Sequence, residues 1–237
     1  MKKFMTGSVF TVSMFFFSGA LPAYAMDFTS PALDFREAYM SGSKMFQTRL
    51  QISSVINDKI WLSYQNTINH GDKLQQFKNN YSEVEAAYNI PVTDKFSVIP
   101  DMVFNWGKRG THIDPILKVS YQLSPDVGVM VGYRYYHNNY KSNSIYSEEQ
   151  RDNTHEYDLW FNWQMTNRVF FNYNPVLLQK QNDFRFGNGK KTTWQHTVYF
   201  NYKYDERWTP YIDLSDLGSA GNGDKEYRVR VGIKYSL

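Results

Sequence analysis

Arg228 and Arg230 stand two residues apart near the end of the chain, and the carboxylate pairs Glu83/Glu85 and Glu156/Asp158 repeat that spacing. Along a β-strand, residues i and i+2 share a face, so each pair presents two like charges side by side. Guanidiniums can grip an anion bidentately, and the carboxylates would separate one basic stretch from another. Covalent chemistry has less support. The chain has no Cys, which removes thiol nucleophiles and thiolate metal sites. It has no G-x-S-x-G, H-E-x-x-H or P-loop motif. Its five histidines, His70, His112, His137, His155 and His196, fall mostly in or beside polar segments and lack metal spacing. No enzyme, cofactor or metal site is expected from these residues. The glycines of Phe186-Gly187-Asn188-Gly189-Lys190-Lys191 read as an external loop rather than a phosphate nest.

The elements that must hold these charges are strands. Tyr227, Val229, Val231, Ile233 and Tyr235 alternate with Glu226, Arg228, Arg230, Gly232 and Lys234. The same period of two recurs over 116–123, 127–136 and 154–164, where Leu117, Val131 or Leu159 oppose Lys118, Arg134 or Asp158. No helical stripe and no run of about 18 apolar residues follows Ala25. Short turns are expected near 57–59, 93–95, 124–126, 166–167 and 205–206. They alternate with longer loops at about 69–80, 106–112, 137–153, 181–191 and 216–225, and with a shorter one at 41–43. Five turns and six loops join twelve strands, with both termini on the short-turn side.

Among its 237 residues the chain has 19 Tyr, 17 Phe and 6 Trp, yet its mean hydropathy is negative. A polar, aromatic-rich chain suits a membrane barrel, in which only alternate residues meet lipid. Trp61, Phe96, Tyr121, Trp163, Phe170, Tyr204, Trp208 and Tyr235 lie beside the turns and are expected to form the inner aromatic girdle. Lys2 and Lys3, the apolar stretch from Phe4 and the Ala23-Tyr24-Ala25 motif make residues 1–25 a signal peptide, leaving one domain over 26–237. Its removal takes the formal charge from +3 to about +1, so overall charge points to no partner and not to nucleic acid. A soluble β-sandwich would alternate too. The export segment, the turn–loop alternation and the girdles favour an all-β fold, a twelve-stranded antiparallel transmembrane β-barrel in the outer membrane of a Gram-negative cell.

Inside such a barrel the alternation places Arg36, Arg49, Lys118, Arg134, Lys203, Arg228, Arg230 and Lys234, with Glu83, Glu85, Asp101, Glu156, Asp158, Asp213 and Glu226. The last strand and the first two are neighbours on closure and carry Arg228, Arg230, Arg36 and Arg49. Arg134 and Lys118 come from across the barrel. Two basic tracks separated by carboxylates would guide an anion between guanidinium forks; salt-bridge ladders are the alternative. A barrel with partner- or surface-binding loops is a second reading. A barrel phospholipase is a third, but His196 has Val198 rather than Ser two residues away.

Asp34-Phe35-Arg36-Glu37-Ala38-Tyr39, Tyr133-Arg134-Tyr135-Tyr136-His137-Asn138-Asn139-Tyr140, Trp208-Thr209-Pro210-Tyr211-Ile212-Asp213 and Arg228-Val229-Arg230-Val231-Gly232-Ile233-Lys234-Tyr235 are short motifs spread over about 30–237. In order and spacing they resemble the oligogalacturonate-specific porin family of the KdgM type, which includes the N-acetylneuraminate channel NanC and OmpL-type barrels. The resemblance implies a monomeric twelve-stranded channel for acidic mono- and oligosaccharides, with Arg36, Arg134, Arg228 and Arg230 lining the lumen. Its surroundings would be a lipid bilayer with lipopolysaccharide, reached through the outer-membrane assembly machinery. The chain departs from the family in ending on Leu237 instead of Phe and in its many lumen carboxylates.

Overall fold

The computed structural model describes residues 28–70, 77–107, 110–140 and 152–237. Every regular element among them is a strand: β1 (Phe28–Met40), β2 (Met45–Ile56), β3 (Ile60–His70), β4 (Lys78–Tyr88), β5 (Phe96–Gly107), β6 (Gly110–Gln122), β7 (Val127–Tyr140), β8 (Thr154–Gln164), β9 (Val169–Lys180), β10 (Thr192–Tyr202), β11 (Trp208–Ser219) and β12 (Lys225–Ser236). Ile90–Pro91 extends β4 past a break at Asn89 and pairs with β5. Each strand pairs antiparallel with its sequence neighbours, and β12 closes the ring on β1 in the register Phe35↔Ile233 and Tyr39↔Val229. Closure leaves no unpaired edge, the condition for β-structure in lipid. Strands of 11 to 14 residues meet or exceed the roughly 9–11 needed to span the hydrocarbon core.

The burial pattern is inverted relative to a water-soluble fold. Ser63, Gln65, Thr67, Asp101, Asp114 and Asp213 are buried, whereas Leu33, Phe35, Leu50, Ile52, Leu117 and Val231 are exposed. The alternation of the sequence is therefore the lipid/lumen alternation of a barrel wall. Val103 and Ile116 are large aliphatic side chains buried on the inner face beside the carboxylates.

The described part of the chain corrects several expectations. β5 runs to Gly107 and β6 starts at Gly110, so the loop expected over 106–112 shrinks to 108–109, which lie outside the described residues. β11 continues through Ser219, which shortens the loop expected from 216. Residues 1–25, 71–76 and 141–151 also lie outside the described residues, with the export segment and parts of two expected loops. Trp61 has the parity of Ser63 and Gln65, and Phe170 that of Asn172 and Asn174; both turn inward and leave the girdle. Trp208 and Tyr235 do stack on the outer face, with ring centroids 4.5 Å apart. Lys203 lies just past the end of β10, exposed at the short-turn rim, where its N–H donates to Arg168 O. Glu226 caps the β1–β2 loop: its carboxylate accepts the N–H of Gly42 (2.9 Å) and Ser43 (3.2 Å) across the closing seam.

A closed hydrogen-bond ring of this kind should resist dodecyl sulfate until heated. Unboiled protein is expected to run as a compact band that shifts on boiling, with β-type circular dichroism in detergent. A helical spectrum would contradict the fold.

Candidate functional site

The inner wall is built where the register brings charged side chains to one level. Across β12–β1–β2, Arg36 lies opposite Gly232 on one side and Arg49 on the other. Gly232 has a steric purpose: a Cβ there would collide with the Tyr211 ring. The missing side chain lets that ring lie across β12, where its hydroxyl donates to Asp34 Oδ1 (2.9 Å). Gly132 does the same for Trp160, whose ring would be 2.8 Å from an added Cβ. Two flat rings thereby cover the wall beside the arginines.

From Asp34 a polar belt runs around the barrel. Arg49 donates to Asp34 (2.7 Å) and to Gln65 Oε1 (3.0 Å). Gln65 Nε2 donates to Glu83 (2.8 Å), and Asn105 donates to the other Glu83 oxygen (3.1 Å). Arg230 Nε pairs with Asp213, Lys118 sits 2.6 Å from Asp101 and 3.6 Å from Glu85, and Arg134 sits 2.6 Å from Asp114. The Arg134 guanidinium also lies 4.3 Å from the centre of the Tyr136 ring, and the Tyr136 hydroxyl donates to Glu156 (2.7 Å). Asp158 accepts from Asn174 Nδ2 (3.3 Å).

Two arginines stand apart from this pairing. Arg228 donates Nη2 to Ser215 Oγ (3.0 Å), and its buried Nε has no partner among the described residues. Arg36 makes no hydrogen bond or ion pair among the described residues, although Arg49, Arg228 and Arg230 surround it. The wall formed by β11, β12, β1 and β2 thus carries four guanidiniums against three carboxylates, Asp34, Asp213 and the loop-capping Glu226. The opposite wall, β4 to β8, carries Glu83, Glu85, Asp101, Asp114, Glu156 and Asp158 against Lys118 and Arg134. The second basic track is therefore neutralised by its own neighbours, while the first keeps unspent charge. Lys234 is exposed and lies opposite Asp34 and Thr209 toward the short-turn end.

Asp34 and Asp114 escaped the sequence reading. Their signal was available, since Asp34 lies two residues from Arg36 and Asp114 four from Lys118, on the same inward parity.

A family model for oligogalacturonate-specific porin proteins (KdgM) matches residues 25–237. The chain belongs to this family. The N-acetylneuraminic acid outer membrane channel protein NanC of Escherichia coli K12 is 30% identical over 214 residues, covering 86% of this chain and 90% of that one. The oligogalacturonate-specific porin KdgM of Dickeya dadantii is 25% identical over 169 residues, covering 67% of this chain and 68% of that one. The solved NanC porin superposes with a TM-score of 0.77 at 28% identity, over 86% of this chain and 100% of that one. The chain is thus an outer-membrane porin of the Gram-negative type, and its relatives are channels rather than enzymes.

Among the described residues the porin's outer wall departs from the rule that charge goes inside at Asp216, which pairs with Lys225 (2.8 Å) near the loop end, and at Glu37. Glu37 faces outward, where it contacts His70 Nε2 (2.8 Å) and accepts from Thr48 Oγ1 (2.5 Å). Phe46 stacks on His70 (5.5 Å), and Phe77 covers it (5.5 Å). Carboxylate, imidazole and hydroxyl meet here, but the same Nε2 faces both the hydroxyl (3.1 Å) and the carboxylate. A relay needs one ring nitrogen for each, so this is a compact polar knot and not a nucleophile–base–acid chain. The outward His155 and His196 accept or donate at Nδ1 to Tyr133 (2.8 Å) and Tyr173 (3.0 Å), which makes them girdle partners.

Proposed function

We propose that this porin passes small acidic sugars or acidic oligosaccharides, such as oligogalacturonides or sialic acid, by passive diffusion, with lumen arginines guiding the anion. The observation that carries this reading is the pair of unspent guanidiniums, Arg36 and Arg228, on one wall. An anion entering the lumen loses hydration, and guanidinium forks replace it bidentately. Arg49, Lys118, Arg134 and Arg230 work through their carboxylate partners: they fix the belt and shape the field. Lys234 offers charge at the short-turn mouth. No reaction is catalysed and no cofactor is used. The mature chain starts after Ala25, reaches the membrane through the assembly machinery, and works as a monomer among lipopolysaccharide.

The reading is tested by the reversal potential across planar bilayers under a KCl gradient. Chloride preference is expected at low salt and should fade toward 1 M, where the Debye length falls to about 3 Å. A potassium preference at low salt would overturn it.

A further inference from the structure

One chamber of the lumen contains both signs of unspent charge. A cavity of about 440 Å³ is lined by Arg228 and Arg230 on one side and by Glu156 and Asp158 on the other. That volume lies within the range of about 300–1,000 Å³ typical of small-molecule sites. Glu156 and Asp158 lie two residues apart on β8, on the same inward face, and both line this cavity. Neither is within ion-pair distance of a Lys or Arg among the described residues. Arg134, the nearest guanidinium by register, spends its Nη2 on Asp114. Their polar partners are the Tyr136 hydroxyl and the Asn174 amide. On the facing wall Arg228 has only Ser215 among the described residues, and its Nε has none.

The chain places a carboxylate within reach of Arg49, Lys118, Arg134 and, in this chamber, Arg230. It keeps Arg228 and the Glu156/Asp158 pair apart across the cavity. Unpaired charges facing one another in a lumen of lowered dielectric set up a transverse field. A lone anion uses half of that field and is repelled by the other half. A solute with an ammonium and a carboxylate can align with it and satisfy both walls.

We propose that the solute favoured by this chamber is zwitterionic, an amino sugar acid whose carboxylate meets Arg228 and Arg230 and whose ammonium bridges Glu156 and Asp158. This rests on the acidic-sugar reading above and narrows it. The Trp160 ring, which reaches over Gly132, lines the same chamber beside Asp158 and offers the sugar's apolar face a platform at the acidic end.

The test uses solutes of one skeleton: glucose, gluconate, and glucosaminate, which adds an ammonium to the acid. Their efflux from proteoliposomes holding the full-length mature porin is compared. Glucosaminate should leave several-fold faster than gluconate, and E156Q/D158N should bring that ratio to about one. Gluconate equal to or faster than glucosaminate in wild type overturns the proposal without any variant. So does a ratio unchanged in a double variant that still shows the heat-modifiable band. If glucose outruns both acids, the acidic-sugar reading fails and the proposal with it; gluconate leading both others sinks the zwitterion alone.

Discussion

Replacing Arg134 by alanine should destabilise the barrel more than the loss of any other lumen cation. Asp114 has no exposed side-chain surface, its Oδ2 takes two donors from Arg134 at 2.6 and 3.2 Å, and its Oδ1 has no partner among the described residues. Removing the guanidinium leaves a carboxylate with no counter-charge in reach. Breaking one side of a buried ion pair typically costs about 3–5 kcal/mol, most of it from the orphaned charge. For a chain of this size that corresponds to a fall of roughly 10 °C in the temperature at which the compact band is lost. The double change R134Q/D114N, which removes both charges, should recover most of the loss. If R134A melts with wild type, the pair is not a structural clamp.

Arg36 and Arg228 should behave in the opposite way. Neither holds a carboxylate, so R36S/R228S orphans no acid and should leave the heat-modifiable band nearly where it was. Their loss instead removes the unspent charge of the basic wall. Hydrogen bonds to charged groups are worth about 1.5–3 kcal/mol each, so flux of a sugar acid at low concentration should fall by about tenfold or more. Passage of a neutral sugar of the same size should change little. Lysine at both positions would keep the charge without the fork, so R36K/R228K should hold the KCl reversal potential while losing most of the sugar preference. A double serine variant with unchanged sugar-acid flux would show these arginines to be passive lining. R230S is the instructive contrast, since it strips Asp213 of its partner and should cost stability as well as flux.

Strand number, closure and inward parity were legible because a barrel wall writes its two environments into alternate residues. Tyr227 to Tyr235 show this along β12. Arg36, Arg49, Arg134, Arg228 and Arg230 could be placed inward on that basis alone. Their pairing could not, because it depends on register between strands far apart in sequence. Asp34 meets Arg49 across a hairpin, whereas Tyr211 reaches Asp34 from the other end of the chain. Gly132 and Gly232 stood only as inward positions in the alternation; the neighbouring strands show that each makes room for a ring. Trp61 and Phe170 misled because nearness to a turn sets depth in the membrane, whereas parity sets the face. Glu37 broke the inward rule through His70, a residue 33 positions away.

The central claim is that one wall of the lumen favours acidic sugars, and relative flux tests it most directly. Galacturonate and galactose have nearly the same size and differ in one carboxylate. In proteoliposomes at low salt, galacturonate should pass several-fold faster than galactose through the wild-type porin, and R36S/R228S should abolish the difference. Galactose passing as fast as galacturonate through wild type would contradict it.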